Sequence, residues 1–489
     1  MKKTISFTFL LACVLLTGCK KFLDKEPDNR TNITTPDQLS QLLTSAYPQA
    51  NYILFCEALS DNVEDKNGRG SGDADLDRIN RQAYRYEDIE ASPYIGDSPD
   101  FYWNACYHAI AAANQALKII DQSADKAQLT AQRGEALITR AYAHFMLVTL
   151  FAKAYDPTTA ASDPGVPFVT EPETVVFAKY QRKTVAYVYE MIEKDFKEGY
   201  PLINEKIYGT APRFHFNKQA AAAFAARFYL FKRDYNSVIL YAGQALTGAT
   251  ADNLRPWNTT LADAQYLDLQ AIYTKSTLKG NLMLQEVPSV WGRYASRFRY
   301  GFGANMVNRL TSTPNVSGWF YAYPIYGSES VYNIPKFYEH FVRDNINSST
   351  GYPYNAIPLF TAEEVVLNRA EAYTRVNNKA AAVDDLNAFI SKNILDYDAS
   401  TDNVTPQKIV RYYGTPSDTT GAMVNAALDF KRAFFVFEGM RWFDILRLKI
   451  PVTHTTVTGE VIRLTADDKR RPLQLPVLTQ QAGLEPNTR

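Results

Sequence analysis

Three separated stretches of this chain carry the same helical stripe of small and aromatic residues, and such a stripe is buried only by stacking against another helix. Within 101–154, Gly134, Leu137, Ala141, Phe145, Val148 and Ala152 recur three or four residues apart and fall on one face. The same spacing links Ala226 with Tyr229 and then Val238, Ala242 and Ala245 within 218–246, and Ala370 with Tyr373 and then Ala382, Leu386 and Phe389 within 361–390, with a nine-residue step between the two parts of each set. Gly134 and Ala141 would let a neighbouring helix approach closely. These offsets match the tetratricopeptide helix–turn–helix pattern, whose units bury their faces on one another. The expected fold is therefore mostly α: a helical scaffold of tetratricopeptide-like pairs stacked within a single domain over 36–489. Its start is marked by Thr35-Pro36-Asp37-Gln38, with an N-cap at Thr35, proline at the first helical position and Gln38 at the capping-box offset. Long stretches without this periodicity, 155–182, 247–354 and 396–422, are expected to be irregular and to carry the ligand site.

The N-terminus narrows the class further. Lys2 and Lys3 precede an apolar run to Leu16, and Leu16-Thr17-Gly18-Cys19 follows. Basic flank, apolar core, small residues and then cysteine form a signal peptide over 1–18 ending in a lipobox, with Cys19 as the acylated mature N-terminus. The run is shorter than the ~20 residues a membrane-spanning helix needs. Two or more acyl chains on Cys19 give stable membrane attachment, and 19–35, polar and containing Pro27, reads as the tether.

Lys+Arg and Asp+Glu both number 52, so no long-range field gathers nucleic acid. With Cys13 in the leader and Cys19 lipidated, Cys56 and Cys106 are left for the folded body. Either a disulfide or two buried thiols fits their sequence.

Catalytic signatures are missing: there is no Gly-x-Ser-x-Gly elbow, zinc-binding His-Glu-x-x-His or phosphate loop. The five histidines stand singly, Gly301-Phe302-Gly303 reads as a turn, and no cofactor is implied. A pair of distant carboxylates acting on a glycosidic bond remains the enzyme alternative. Asp73, Asp75 and Asp77 have the spacing of a calcium loop, but Arg78 and Tyr84 stand where glycine and glutamate are required. The aromatic and arginine content of the middle stretch is the better lead for ligand capture: Trp291, Arg293, Tyr294, Arg297, Arg299, Tyr300, Trp319, Tyr321, Tyr323 and Tyr326. Aromatic faces stack on sugar rings or peptide side chains, and guanidinium groups fix hydroxyls and carboxylates; taken singly, each of these residues is better read as packing the loop onto the scaffold, and it is as a cluster that they favour binding. Asp61, Asn62, Arg69 and Tyr94 offer a second wall.

Near the C-terminus, Phe437, Glu438, Gly439, Arg441, Trp442, Phe443, Asp444 and Arg447 form an aromatic-Glu-Gly-x-Arg-Trp-Phe-Asp-x-x-Arg run. With Arg133-Gly134-Glu135-Ala136, Arg140-Ala141-Tyr142, and Cys19 leading to Lys21-Phe22-Leu23-Asp24, this resembles the SusD/RagB family of outer-membrane nutrient-binding lipoproteins. The family's closing proline segment survives loosely as Leu475-Pro476-Val477 and Pro486-Asn487. The charges of the run, three apart with alternating sign, are expected to form a ladder on one helix face, so the motif reads as structure rather than as ligand site. The resemblance implies a surface-exposed lipoprotein of the outer membrane without catalysis. It would bind oligosaccharide or polysaccharide, or in some branches peptide, and deliver it to a TonB-dependent, SusC-like transporter. The readings from other classes are an envelope glycoside hydrolase and a tetratricopeptide-type protein adaptor.

Overall fold

The computed structural model describes residues 33, 35–173, 175, 178–328 and 331–489; the expected signal peptide, Cys19 and nearly all of the expected tether lie outside them. The scaffold is laid down as helix pairs. After α1 (Pro36–Leu43), α2 (Ile53–Leu59) and α3 (Ala74–Tyr84), the chain forms α4 (Pro99–Gln122) and α5 (Thr130–Phe151), followed by α6 (Val185–Gly199). Then come α7 (Lys218–Lys232) and α8 (Tyr235–Ala245), joined by two residues, and α9 (Ala362–Arg375) and α10 (Lys379–Asn393), joined by three. Such short links force antiparallel neighbours. Finally α11 (Thr419–Phe434) packs on α9, and α12 (Met440–Arg447) packs on α11 and α2.

The helix starts are written locally. Thr35 and Gln38 close a reciprocal capping box on α1, and side-chain N-caps at Ser98, Thr184, Asn217, Asp234, Thr361 and Asn378 open α4 and α6 to α10. Helices α5, from Gly134 to Phe151, and α7, from Ala220 to Phe231, are buried on every side, as are the shorter α2 and α12. The close approach that small residues permit is used at Gly134. A Cβ there would stand 2.9 Å from Leu202, and one at Gly199 2.9 Å from Leu137, so α5 and α6 meet backbone to backbone.

Buried ion pairs then tie helix to helix. Arg140 meets Asp195 (α5–α6), Arg227 meets Glu364 (α7–α9) and Arg369 meets Asp385 (α9–α10). Arg447 meets Glu371 (α12–α9), and Lys431 meets Asp444 (α11–α12).

The middle stretch is not the irregular loop expected. It holds an antiparallel sheet of β2 (Asn281–Pro288), β5 (Gly351–Thr361) and β4 (Glu339–Arg343) in that spatial order, and β1 (Glu64–Asp65) pairs with β3 (Tyr300–Gly301). Leu282–Leu284 and Val287 form an apolar run of strand length whose partner lies about seventy residues on, so local periodicity gave no sign of the pairing. The 396–422 stretch also gains a helix, Pro406–Tyr413. A last hairpin joins β6 (Val452–Thr455) to β7 (Val461–Leu464). Cys56 and Cys106 are both free and buried, which resolves the open choice in favour of two thiols.

The expected charge ladder is corrected. Glu438 precedes the helix, whose N-cap is Gly439 at φ +70°, and its carboxylate accepts from the buried Lys336 and Tyr273. Arg441 grips Asp61 at 2.7 and 3.0 Å, and only Asp444 and Arg447 pair along the helix. Trp442 and Phe443 are core. The Phe437–Gly439 turn is held from outside. Glu57 accepts from the Phe437 and Gly439 amides, and the Trp291 indole donates to the Phe437 carbonyl at 2.9 Å.

Candidate functional site

Five segments meet around a cleft of about 370 Å³: 61–64 with β1, the helix Ala304–Thr311, α11 at Arg432, β6, and the end of α3 at Tyr84. Lys66 brings the first two together, its backbone N–H donating to the Arg299 carbonyl and its ammonium to that of Ser296. On the β6 side the exposed Thr453 and Thr455 alternate with buried Val452 and His454.

Most charges facing the cleft are already committed. Burial alone would raise the Asp61 pKa, but hydrogen bonds and charge from Arg441, with Arg432 behind it, hold it down at about 2. Glu64 accepts from the backbone and amide of Asn305. Arg432 donates through Nε to Asn62 Oδ1 at 2.8 Å and to the Asp61 carbonyl, and burial lowers its pKa to about 10. Because a guanidinium can only donate, this contact fixes the Asn62 amide with its oxygen toward Arg432. Asn62 Nδ2, on a side chain 2 % exposed, then has no hydrogen-bond partner among the described residues. An unmatched buried donor costs about 1–3 kcal/mol. Arg309, on the opposite wall, keeps one long contact, 3.5 Å to Asp429, which Tyr413 also serves at 2.7 Å.

The expected site residues distribute differently. Trp291 is 3 % exposed, stacked on Phe298 and spent on the Phe437 carbonyl, so it is core rather than ligand surface. Tyr321 and Tyr323, each 6 % exposed, stack on each other and pack against Phe430 and Phe434 of α11, which likewise removes them from a ligand's reach. Arg293 is exposed but pairs with Glu339. Tyr94 stands in solvent on a loop tied to the Arg293 segment through Asp97, which accepts from Ser289 and Val290. Arg69 and Arg297 are also exposed, and Tyr294 is half-buried. Trp319 is half-exposed, on the turn that follows the Arg309 helix.

The aspartate triplet is a helix start and not a cation loop. Asp73 caps α3, Asp75 pairs with Arg78, and Asp77 accepts from Ser71 and Gly72, so the three carboxylates serve different groups. No cluster of three or more potential metal ligands occurs among the described residues.

Asp61 and Asn62 were legible as a possible wall, but Glu64, Asn305, Arg309, Arg432, Thr453 and Thr455 were not. They come from four separate elements, β1, the Ala304–Thr311 helix, α11 and β6, and none has a local signature. A groove of about 550 Å³ between 152–164 and 466–472 is larger, but there Lys153 meets Asp163 and Lys449 meets Asp156 and Asp467.

A stack of helix pairs, with a polar cleft where an inserted helix and two short strands meet α11, defines a scaffold class in which the helices hold the shape. A family model described as SusD-like, starch-binding and associating with the outer membrane matches residues 21–230, and the SusD family model matches 321–467. The chain belongs to the SusD/RagB family. No curated protein sequence matches it. Among solved structures it is similar to a SusD superfamily protein of Bacteroides thetaiotaomicron, at 19 % identity and TM-score 0.65 over 93 % of this chain and all of that one. It is also similar to a putative sugar-binding protein of Bacteroides vulgatus, at 19 % identity and TM-score 0.68 over 94 % and 99 %. A SusD-like carbohydrate-binding protein of Bacteroides vulgatus matches at 16 % identity and TM-score 0.62 over 92 % and 96 %.

Proposed function

We propose that this protein is a lipid-anchored nutrient receptor of the outer-membrane surface, attached through Cys19, that captures oligosaccharide in the Asn62–Arg309 cleft. It then passes the ligand, chemically unchanged, to a SusC-like TonB-dependent transporter. One observation carries the reading: a polar cleft is walled by the half-exposed Arg309, whose one contact is 3.5 Å to Asp429, and by the exposed Thr453 and Thr455. A ligand rich in hydroxyl groups can bond both the guanidinium and the threonine hydroxyls.

A glycosidase needs one carboxyl group that keeps its proton near neutrality, and Asp61, ionised between two arginines, is not suited to that part. The family and the names of similar structures favour a carbohydrate over a peptide.

Isothermal titration of the full chain in detergent against polysaccharide, oligosaccharide and peptide pools tests the reading. Saturable heat with a carbohydrate pool, lost in Arg309→Ala, is the expected result. Heat only with peptides, or reducing ends appearing during the titration, would refute it.

A further inference from the structure

An asparagine is chemically fragile where the backbone nitrogen of the next residue can reach its side-chain carbonyl carbon, and glycine, with no Cβ, obstructs that approach least. Asn67 is the one asparagine of the chain that glycine follows. It lies in the exposed stretch 67–69 between β1 and α3, outside any helix or strand. Its own N–H donates to Asp65 Oδ1 at 3.1 Å, but its side-chain amide and the Gly68 N–H have no hydrogen-bond partner among the described residues. Asn67 stands at φ +56°, and closing a ring onto Gly68 requires rotation about ψ; no backbone hydrogen bond at Gly68, Arg69 or Gly70 opposes it. The two asparagines followed by serine are placed otherwise. Ser348, after Asn347, donates its N–H to the Asn345 carbonyl at 3.0 Å, and Ser237, after Asn236 in α8, donates its own to Asp234 Oδ1 at 3.1 Å. In both, the nitrogen that would attack is already engaged.

We propose that Asn67 is a site of spontaneous deamidation, left by the fold as reactive as it is in an unfolded segment. The Gly68 nitrogen gives its proton to water and bonds to Asn67 Cγ. The Cγ–Nδ2 bond breaks, and the amide nitrogen takes up a proton and leaves as ammonia, closing a cyclic succinimide. Water then opens the ring at either carbonyl, giving aspartate, or isoaspartate with the main chain routed through Cγ. Both products set a new carboxylate beside Asp65, which holds Arg299 at 2.8 and 2.9 Å and accepts from the Asn67 N–H. Isoaspartate also lengthens the backbone by a methylene. Reacted molecules therefore have a weaker tie between β1 and the residue that leads into β3.

The experiment incubates the full chain in detergent, its Gly68→Ala variant and a synthetic peptide of residues 62–72 side by side at mildly alkaline pH. Mass spectrometry of digests follows the amide-to-acid mass shift at each asparagine, and an isoaspartyl methyltransferase assay scores the isoaspartate. Gly68 is outside the left-handed region and a Cβ there meets nothing within 4 Å, so alanine fits the fold while it obstructs the attacking nitrogen. The expected result is conversion concentrated at Asn67, with both products present, at a rate close to that of the peptide and about tenfold slower in Gly68→Ala. Hydrogen exchange at the Lys66 amide, which donates to the Arg299 carbonyl, should be faster in the aged protein. Conversion at Asn347 matching that at Asn67, or a rate unchanged in Gly68→Ala, would overturn the assignment. A reaction far slower in the chain than in the peptide would overturn the claim that the fold leaves Asn67 free. Unchanged exchange at Lys66 after full conversion would overturn the weakened tie.

Discussion

At the scale of single residues, the family motif is held by conformation and charge. Gly439 combines φ +70° with a close approach: a Cβ would lie 3.0 Å from that of Cys56 and 3.2 Å from the Ile53 Cα. Gly439→Ala should therefore destabilise the protein by about 1–3 kcal/mol, read as a lower urea midpoint, since left-handed backbone and contact with α2 both oppose a side chain. Asp61 gives a pH signature. Its folded pKa of about 2 lies below the ordinary carboxylate value, so the stability it contributes is complete above about pH 4 and is lost as the pH falls toward 2. Asp444, held at about 2 by Lys431 and Arg447 against its burial, acts in the same direction. Acid titration of unfolding free energy should show a drop in that window that is smaller in Asp61→Asn; a flat profile from pH 5 to 2 would refute the assignment. Sequence exposed the motif but not this use of it. Glu438, Arg441, Asp444 and Arg447 looked like a self-contained ladder because their partners Lys336, Asp61, Lys431 and Glu371 lie elsewhere in the chain.

At the scale of elements, what was legible was what is local. The stripe through Gly134 and Ala141 foretold close helix packing, and the α5–α6 contact delivers it. Gly134→Ala should cost about 1–3 kcal/mol because Leu202 and the Gly199 carbonyl, at 2.9 and 3.0 Å from the new Cβ, cannot both yield. Chemical denaturation measures it, and an unchanged midpoint would mean that α6 slides freely. The β4–β5 hairpin escaped the periodicity argument, yet its register makes its own forecast. The Ser289 amide donates to the Pro353 carbonyl, so residue 353 faces β2, and 352 and 354 face β4. Val342 and His340 therefore bond inward, while the Phe341 backbone points out from the edge strand. Proline at 340 removes a ladder bond and proline at 341 does not. Hydrogen exchange of the 339–354 hairpin should accelerate in His340→Pro and change little in Phe341→Pro. Aromatic density misled at this scale for a related reason: Trp291, Tyr321 and Tyr323 pack the insertion onto α11 and the motif turn, and composition is the same for a ring in a core and a ring in a binding wall.

At the scale of the molecule, the helix pairs are joined by charges that sequence gives no means of matching, since Arg227 and Glu364 stand 137 residues apart. These bridges converge on α9, whose Glu364 reaches α7, Arg369 reaches α10 and Glu371 reaches α12. Arg447 sits at the crossing of three helices, bonded to Glu371 at 2.9 Å and to Asp444, which Lys431 also holds. Hydrophobic burial binds each pair of helices to the next without direction, whereas a buried guanidinium between two carboxylates accepts one relative placement of α9, α11 and α12. Replacing Arg447 by Met preserves much of the volume but strands Glu371, leaving Arg375 at 3.5 Å as its remaining cation, so a loss of about 3–5 kcal/mol is expected. The double variant Arg447→Met with Glu371→Leu should recover a large part of that loss, because no unpaired charge is then left in the core. Melting curves of the two single variants and the double settle the matter. Additive losses would mean that the pair is dispensable to the register of the stack, and recovery would mean that the charge network fixes how the motif helix, and with it Arg441 and Asp61 beneath the cleft, is seated on the scaffold.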